Sequence, residues 1–183
     1  MFEGTVDQRE MDLKLKKLRK GFFRIKVKLM DLSKLMYLSM KNFIQSGDPG
    51  LLEDKNMQKV NTGFIELQEQ FLKVEDHLKD LMKKRNNLRT ITDRGLLNQS
   101  IFELNKDYSI CEDKRIIIEC AINHIQLIYK LITIPVNDKG QLCCISEESI
   151  TSLNNLLRIN LESLANSDSE KYFSKMTATR FMI

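Results

Sequence analysis

One pattern dominates this sequence. From Met11 the large apolar residues fall at Leu15, Leu18, Phe22, Ile25, Leu29, Leu32, Met36 and Phe43, in alternating steps of four and three that only Ser39 interrupts. Such spacing gathers side chains on one face of an α-helix, whereas the period of two in a strand would scatter them over both faces. A second series runs Met57, Val60, Phe64, Leu67, Phe71, Val74, Leu78, Leu81 and Leu88, with Arg85 inside it. A third runs Leu97, Ile101, Leu104, Tyr108, Cys111, Ile118, Ile122, Ile125, Tyr129 and Ile132, with Arg115 inside it, and a shorter fourth holds Ile150, Leu153, Leu157, Leu161 and Leu164. The repeat has the period of a coiled-coil seam. It predicts an all-α fold: an elongated antiparallel helical bundle with coiled-coil-like heptad packing, three long helices and a shorter fourth.

Turn signals divide the series. Thr5 with Gln8 three residues later reads as a capping box, and Ser46-Gly47-Asp48-Pro49-Gly50 ends the first helix while offering Asp48 as cap and Pro49 as first residue of the second. The stretch from Thr90 to Gly95 closes the second helix, and Pro135 with Asn137-Asp138-Lys139-Gly140 closes the third. Ser146 caps the fourth, with Ile145 and Ile150 placed as a hydrophobic staple. The expected helices cover about 6–45, 49–90, 96–134 and 146–166, forming one bundle over residues 1–166, and residues 167–183 form a C-terminal tail. Short turns make neighbours antiparallel. From Ile116 to Ile132 the third helix is apolar nearly all round, so the fourth is expected to cover its second face there.

Charge separates the two ends of such a bundle. Between residues 9 and 28 stand Arg9, Lys14, Lys16, Lys17, Arg19, Lys20, Arg24, Lys26 and Lys28 against only Glu10 and Asp12. The antiparallel hairpin brings Lys79, Lys83, Lys84, Arg85, Arg89 and Arg94 to the same end, while residues 46–78 are acidic on balance. A net charge of only +4 conceals a basic pole. An acidic protein segment, an anionic membrane surface and nucleic-acid phosphates all satisfy the Coulomb requirement of that pole. Nucleic acid is the less supported, because Phe22 and Phe23 are the only aromatics in the basic run and both fall on apolar stripes.

Equipment for chemistry is sparse. There are 2 His and no Trp, and no glycine-rich loop, so neither catalysis nor a cofactor is expected. Cys120 and His124 lie one helical turn apart, but no third or fourth ligand has suitable spacing, and packing is the expected role. Cys143-Cys144 is expected to pack in a loop, and His77 to be solvent-exposed. Arg115 has two candidate placements, at the carboxyl end of the fourth helix or paired with Glu112 or Glu119, and Arg85 lies close enough to the open end to send its head to water. Four Cys without framework spacing and the lack of an apolar leader lead us to expect a reducing cytoplasmic or nuclear home.

The functional expectation is a non-enzymatic interaction subunit, adaptor or scaffold of a larger assembly, with a binding module for anionic membrane or nucleic acid as its rival. The candidate partner-binding residues are Lys16, Lys17, Lys20, Arg24, Lys28, Lys83, Lys84 and Arg89 of the basic patch. Phe23, Met30, Tyr37 and Ile44 add a second stripe at seven-residue spacing, expected to meet either the fourth helix or a second copy, as a homodimer or within a hetero-oligomer. Tyr172, Phe173 and Phe181 make the tail a segment that folds back onto the lower bundle or inserts into a partner's groove.

Overall fold

A computed structural model describes residues 3–46, 55–133 and 147–166. Four helices account for nearly all of them: α1 (Glu3–Ser46), α2 (Lys55–Asn87), α3 (Arg94–Thr133) and α4 (Glu147–Ala165), with a single 3-10 turn at Leu88–Thr90 after α2. At 1.5 Å per residue, α1 is roughly 66 Å long and α4 roughly 29 Å. The helical seams read from the sequence are the core: Leu18, Ile25, Leu32, Leu67, Leu81, Leu104, Ile118, Ile122 and Ile125 are all but inaccessible to water. Each such side chain stabilises the fold by roughly 1.5–3 kcal/mol through burial.

Side-chain contacts fix the relative directions. Asp12 meets Arg85 and Lys26 meets Glu75, so α1 and α2 are antiparallel. Lys84 meets Asp107 and the Tyr129 hydroxyl donates to Asn61 Oδ1 at 2.6 Å, so α2 and α3 are antiparallel as well. Both being antiparallel to α2, α1 and α3 run parallel, with Lys28 meeting Glu119, and α4 lies along α3 with Asn160 beside His124. The short α4 packs on α2 and α3. It supplies Leu157, Leu161 and Leu164 against the second apolar face of α3, where Ile117, Ala121 and Ile128 are buried beside the main seam.

Several sequence expectations need correction. Thr5 lies inside α1, which begins at Glu3, so it cannot be the N-cap, whose backbone is non-helical. The α3 cap is Asp93, whose Oδ1 accepts from the Leu96 N–H at 2.9 Å and starts the helix two residues earlier than expected. The expected caps Asp48 and Ser146, the expected first residue Pro49 and the staple residue Ile145 lie outside the described residues. Arg85 does not reach water: its side chain is 8% exposed and makes a bidentate pair with Asp12, Nε to Oδ1 at 2.6 Å and Nη2 to Oδ2 at 2.8 Å. The seam position points the side chain inward, and a carboxylate on the neighbouring helix meets it there. His77 is half-buried rather than solvent-exposed, lining a small cavity with Lys114 of α3 and Leu164 and Ala165 at the end of α4, and burial lowers its pKa.

Of the two placements open to Arg115, the structure shows the carboxylates. Its guanidinium donates twice to Glu112 at 2.8 Å and once to Glu119 at 3.1 Å, and the Glu112 bonds hold its pKa above the ordinary value. Gly21 of α1 makes room, since a Cβ there would lie 2.7 Å from Arg115 Cδ. Lys28 closes the cluster at 2.6 Å from Glu119, whose carboxyl is held below its usual value first by Lys28 and then by Arg115.

The interface between α3 and α4 carries a buried polar pair. Asn160 is fully buried and its side-chain amide meets His124 Nδ1 at 2.8 Å. Burial holds the His124 pKa below its ordinary 6.5. Below 6.5 the unfolded chain takes up a proton that the folded site resists, so stability is complete above that pH and declines as pH falls. The same sign applies to His77. We therefore expect the denaturant midpoint to drop between pH 7.5 and 5.5, a window above the carboxylates, and the drop to shrink in His124→Gln. An unchanged midpoint across that window would count against the buried neutral imidazole.

Candidate functional site

The stripe at Phe23, Met30 and Tyr37 follows each seam residue Phe22, Leu29 and Met36 by one position, which turns it toward the α2 side of α1's outer face. Phe23 is 68% exposed, Met30 56% and Tyr37 68%. The fourth helix does not cover this stripe, contrary to one of the two expectations for it, because it is seated on the other flank of α2, against α3. Gly63 shows why: a Cβ there would come within 2.8 Å of Leu157 Cδ2, so α2 presents a notch to α4 on that flank. Ile44, Tyr172, Phe173 and Phe181 lie outside the residues whose side chains are described.

Across from the stripe, Ile65 and Leu72 of α2 are also exposed. They stand one position after the seam residues Phe64 and Phe71, as Met30 stands after Leu29, and this shared register was the sequence signal that would have found them. Between the two helices runs a groove of about 610 Å³, with Leu29, Met30, Phe71 and Leu72 as its apolar lining and Lys26, Ser33, Lys34 and Gln68 at its rims. Below it, Lys16, Arg19, Lys20, Phe23 and Arg24 line a shallower depression of about 360 Å³.

The structure divides the basic candidates into two groups. Lys28 is engaged by Glu119, Lys84 by Asp107 and Lys83, more loosely at 3.6 Å, by Asp80. Lys16, Lys17, Lys20 and Arg24, together with Arg19, are exposed and make no ion pair among the described residues. Arg89 is exposed on the 3-10 turn at the same end of the bundle. The unengaged positive charge is therefore concentrated on the outer face of α1, contiguous with the lower end of the apolar stripe at Phe23.

No family model, curated protein or solved structure matches this chain. His124 is bound to Asn160, and the Cys111 thiol is buried, with desolvation pushing its pKa up to about 12, far from a reactive thiolate. Among the described residues no three His, Cys, Asp or Glu side chains gather to hold a metal ion, and no helix is long and apolar enough to cross a membrane.

Proposed function

We propose that this chain is a non-enzymatic interaction module, a subunit or adaptor that holds a protein partner against the outer face of α1 and α2. The observation that carries the reading is the continuity of an exposed apolar stripe, Phe23, Met30 and Tyr37 with Leu72 and Ile65, and a run of unengaged cations. A contiguous apolar patch with a charged rim is the anatomy of a protein interface rather than of a surface left to water. The chemistry-bearing side chains support the same reading, since Arg85, Arg115, His124 and Cys111 all serve the packing of the bundle.

The rival is a binding module for anionic membrane or nucleic acid, favoured by Leu13 and Val27, which are exposed among Lys17, Lys20 and Arg24 on the outermost line of α1. Photo-cross-linking separates the two. With p-benzoylphenylalanine in place of Phe23 or Tyr37, irradiation in the native cell is expected to yield adducts to discrete polypeptides. The same probe in place of Lys106, exposed on α3, is expected to yield none. Adducts to lipid or nucleic acid alone, or an equal yield at Lys106, would remove the interaction reading.

A further inference from the structure

Resting on that reading, we infer that the occupant of the α1/α2 groove is an acidic amphipathic helix of another protein, its apolar side between Met30 and Leu72 and its carboxylates on the cations of α1. The bundle itself displays the kind of element such a groove accepts. On the opposite flank of α2, the groove shared with α3 is filled by a helix, α4, whose Leu157, Leu161 and Leu164 enter it at the usual three- and four-residue spacing. The groove shared with α1 has the same construction, two helices with an apolar floor, and no third helix among the described residues fills it. Its floor at Leu29 and Phe71 is buried below the rims, within reach of side chains from a helix lying along it but not of a flat bilayer surface. From Phe23 to Tyr37 is roughly 21 Å along α1, which asks for about four turns of partner helix.

Charge selects the sign of that helix. The α1 rim carries Lys26, held loosely by Glu75 at 3.9 Å, and Lys34, held loosely by Asp31 at 3.8 Å, and the depression just below carries Lys16, Arg19, Lys20 and Arg24, which have no ion partner among the described residues. A partner with glutamate or aspartate along the edge that faces α1 satisfies the four unpaired cations, and a basic helix is repelled. The chain's own tail is a poor match for the same site. Residues 167–183 hold Asp168 and Glu170 against Lys171, Lys175 and Arg180, and they leave the described fold at the end of α4, on the other flank of α2.

The test uses the full chain and three synthetic 18-residue helical peptides followed by fluorescence anisotropy. One carries leucines at three- and four-residue spacing with flanking glutamates, the second has lysines in place of the glutamates, and the third is the acidic composition scrambled so that no apolar face forms. The acidic amphipathic peptide is expected to bind at least tenfold tighter than either control and to weaken severalfold as salt rises from 0.05 to 0.5 M. Met30→Asp and Lys20→Glu should each cost about tenfold with helical content and melting unchanged, both residues being exposed. Equal binding of the scrambled peptide, equal binding of the lysine peptide, or indifference to Met30→Asp each overturns the inference. So does tighter binding of a peptide comprising residues 167–183, or binding to vesicles containing phosphatidylserine with none to the peptides. If Tyr37 cross-links to a protein while the acidic peptide shows no preference, this inference fails and the interaction reading stands.

Discussion

Asp12→Ala is expected to destabilise the bundle by about 2 kcal/mol, although Asp12 is itself 52% exposed. The effect comes from the partner left behind. Arg85 is buried on the α2 seam with both Nε and Nη2 committed to Asp12, and its Nη1 is already buried without a hydrogen-bond partner. Removing the carboxylate strands a charge that can be rehydrated only by opening the contact between α1 and α2. A fully enclosed pair broken in this way costs about 3–5 kcal/mol, and water at the Asp12 edge lowers that figure here. Arg85→Met should behave differently, staying within about 1 kcal/mol of the parent or exceeding it, since an apolar side chain suits the seam and Asp12 can turn to water. The double variant should recover most of what Asp12→Ala loses. Urea midpoints with unchanged slopes would measure all three, and an Asp12→Ala midpoint indistinguishable from the parent would show that the guanidinium is not held by this carboxylate.

That pair marks where reading the sequence succeeds and where it stops. Periodicity alone identifies the seams, because a helix must bury one stripe and the stripe can be counted, and it singles out Arg85 and Arg115 as the positions where the stripe is broken by charge. It does not supply their partners. Asp12 lies on another helix, and the short-range rules that make Glu112 a visible candidate for Arg115 have no counterpart across 73 positions of chain. The same limit governs the docking face. Phe23, Met30 and Tyr37 declare themselves by seven-residue spacing, yet whether α4 covers them depends on which groove α4 prefers. That choice turns on the shape of α2 and α3, through Gly63 and the second apolar row at Ile117, Ala121 and Ile128. Likewise the list of cations is legible in the sequence, but their division into engaged and free ones is set by carboxylates on neighbouring helices, Glu119 for Lys28 and Asp107 for Lys84.

Gly63→Phe is expected to detach α4 and to cost about 3 kcal/mol or more, the burial of one to two large side chains. A glycine in a helix interior is unfavourable by roughly 1 kcal/mol relative to alanine, so its place two turns into α2 calls for a compensating contact. The contact is the close approach of α4, with Leu157 Cδ2 at 2.8 Å, Leu157 Cγ at 3.4 Å and Leu161 Cδ1 at 3.6 Å from where a Cβ would stand. Because the nearest atom is the end of a leucine side chain, Gly63→Ala can be absorbed by a rotation of Leu157, and the gain in helix propensity offsets most of the strain. Phenylalanine cannot be absorbed that way. Its ring must take the volume now filled by Leu157 and Leu161, and α4 gives way before α2, being the shorter helix with fewer partners. Undocking also uncovers His124, so its imidazole should titrate closer to 6.5 in Gly63→Phe than in the parent, where burial depresses it. Hydrogen exchange and histidine proton resonances followed against pH would report both events. Protection retained across residues 147–165 together with an unshifted His124 would mean that α4 tolerates the ring, and that the glycine is not what seats it on this flank of α2.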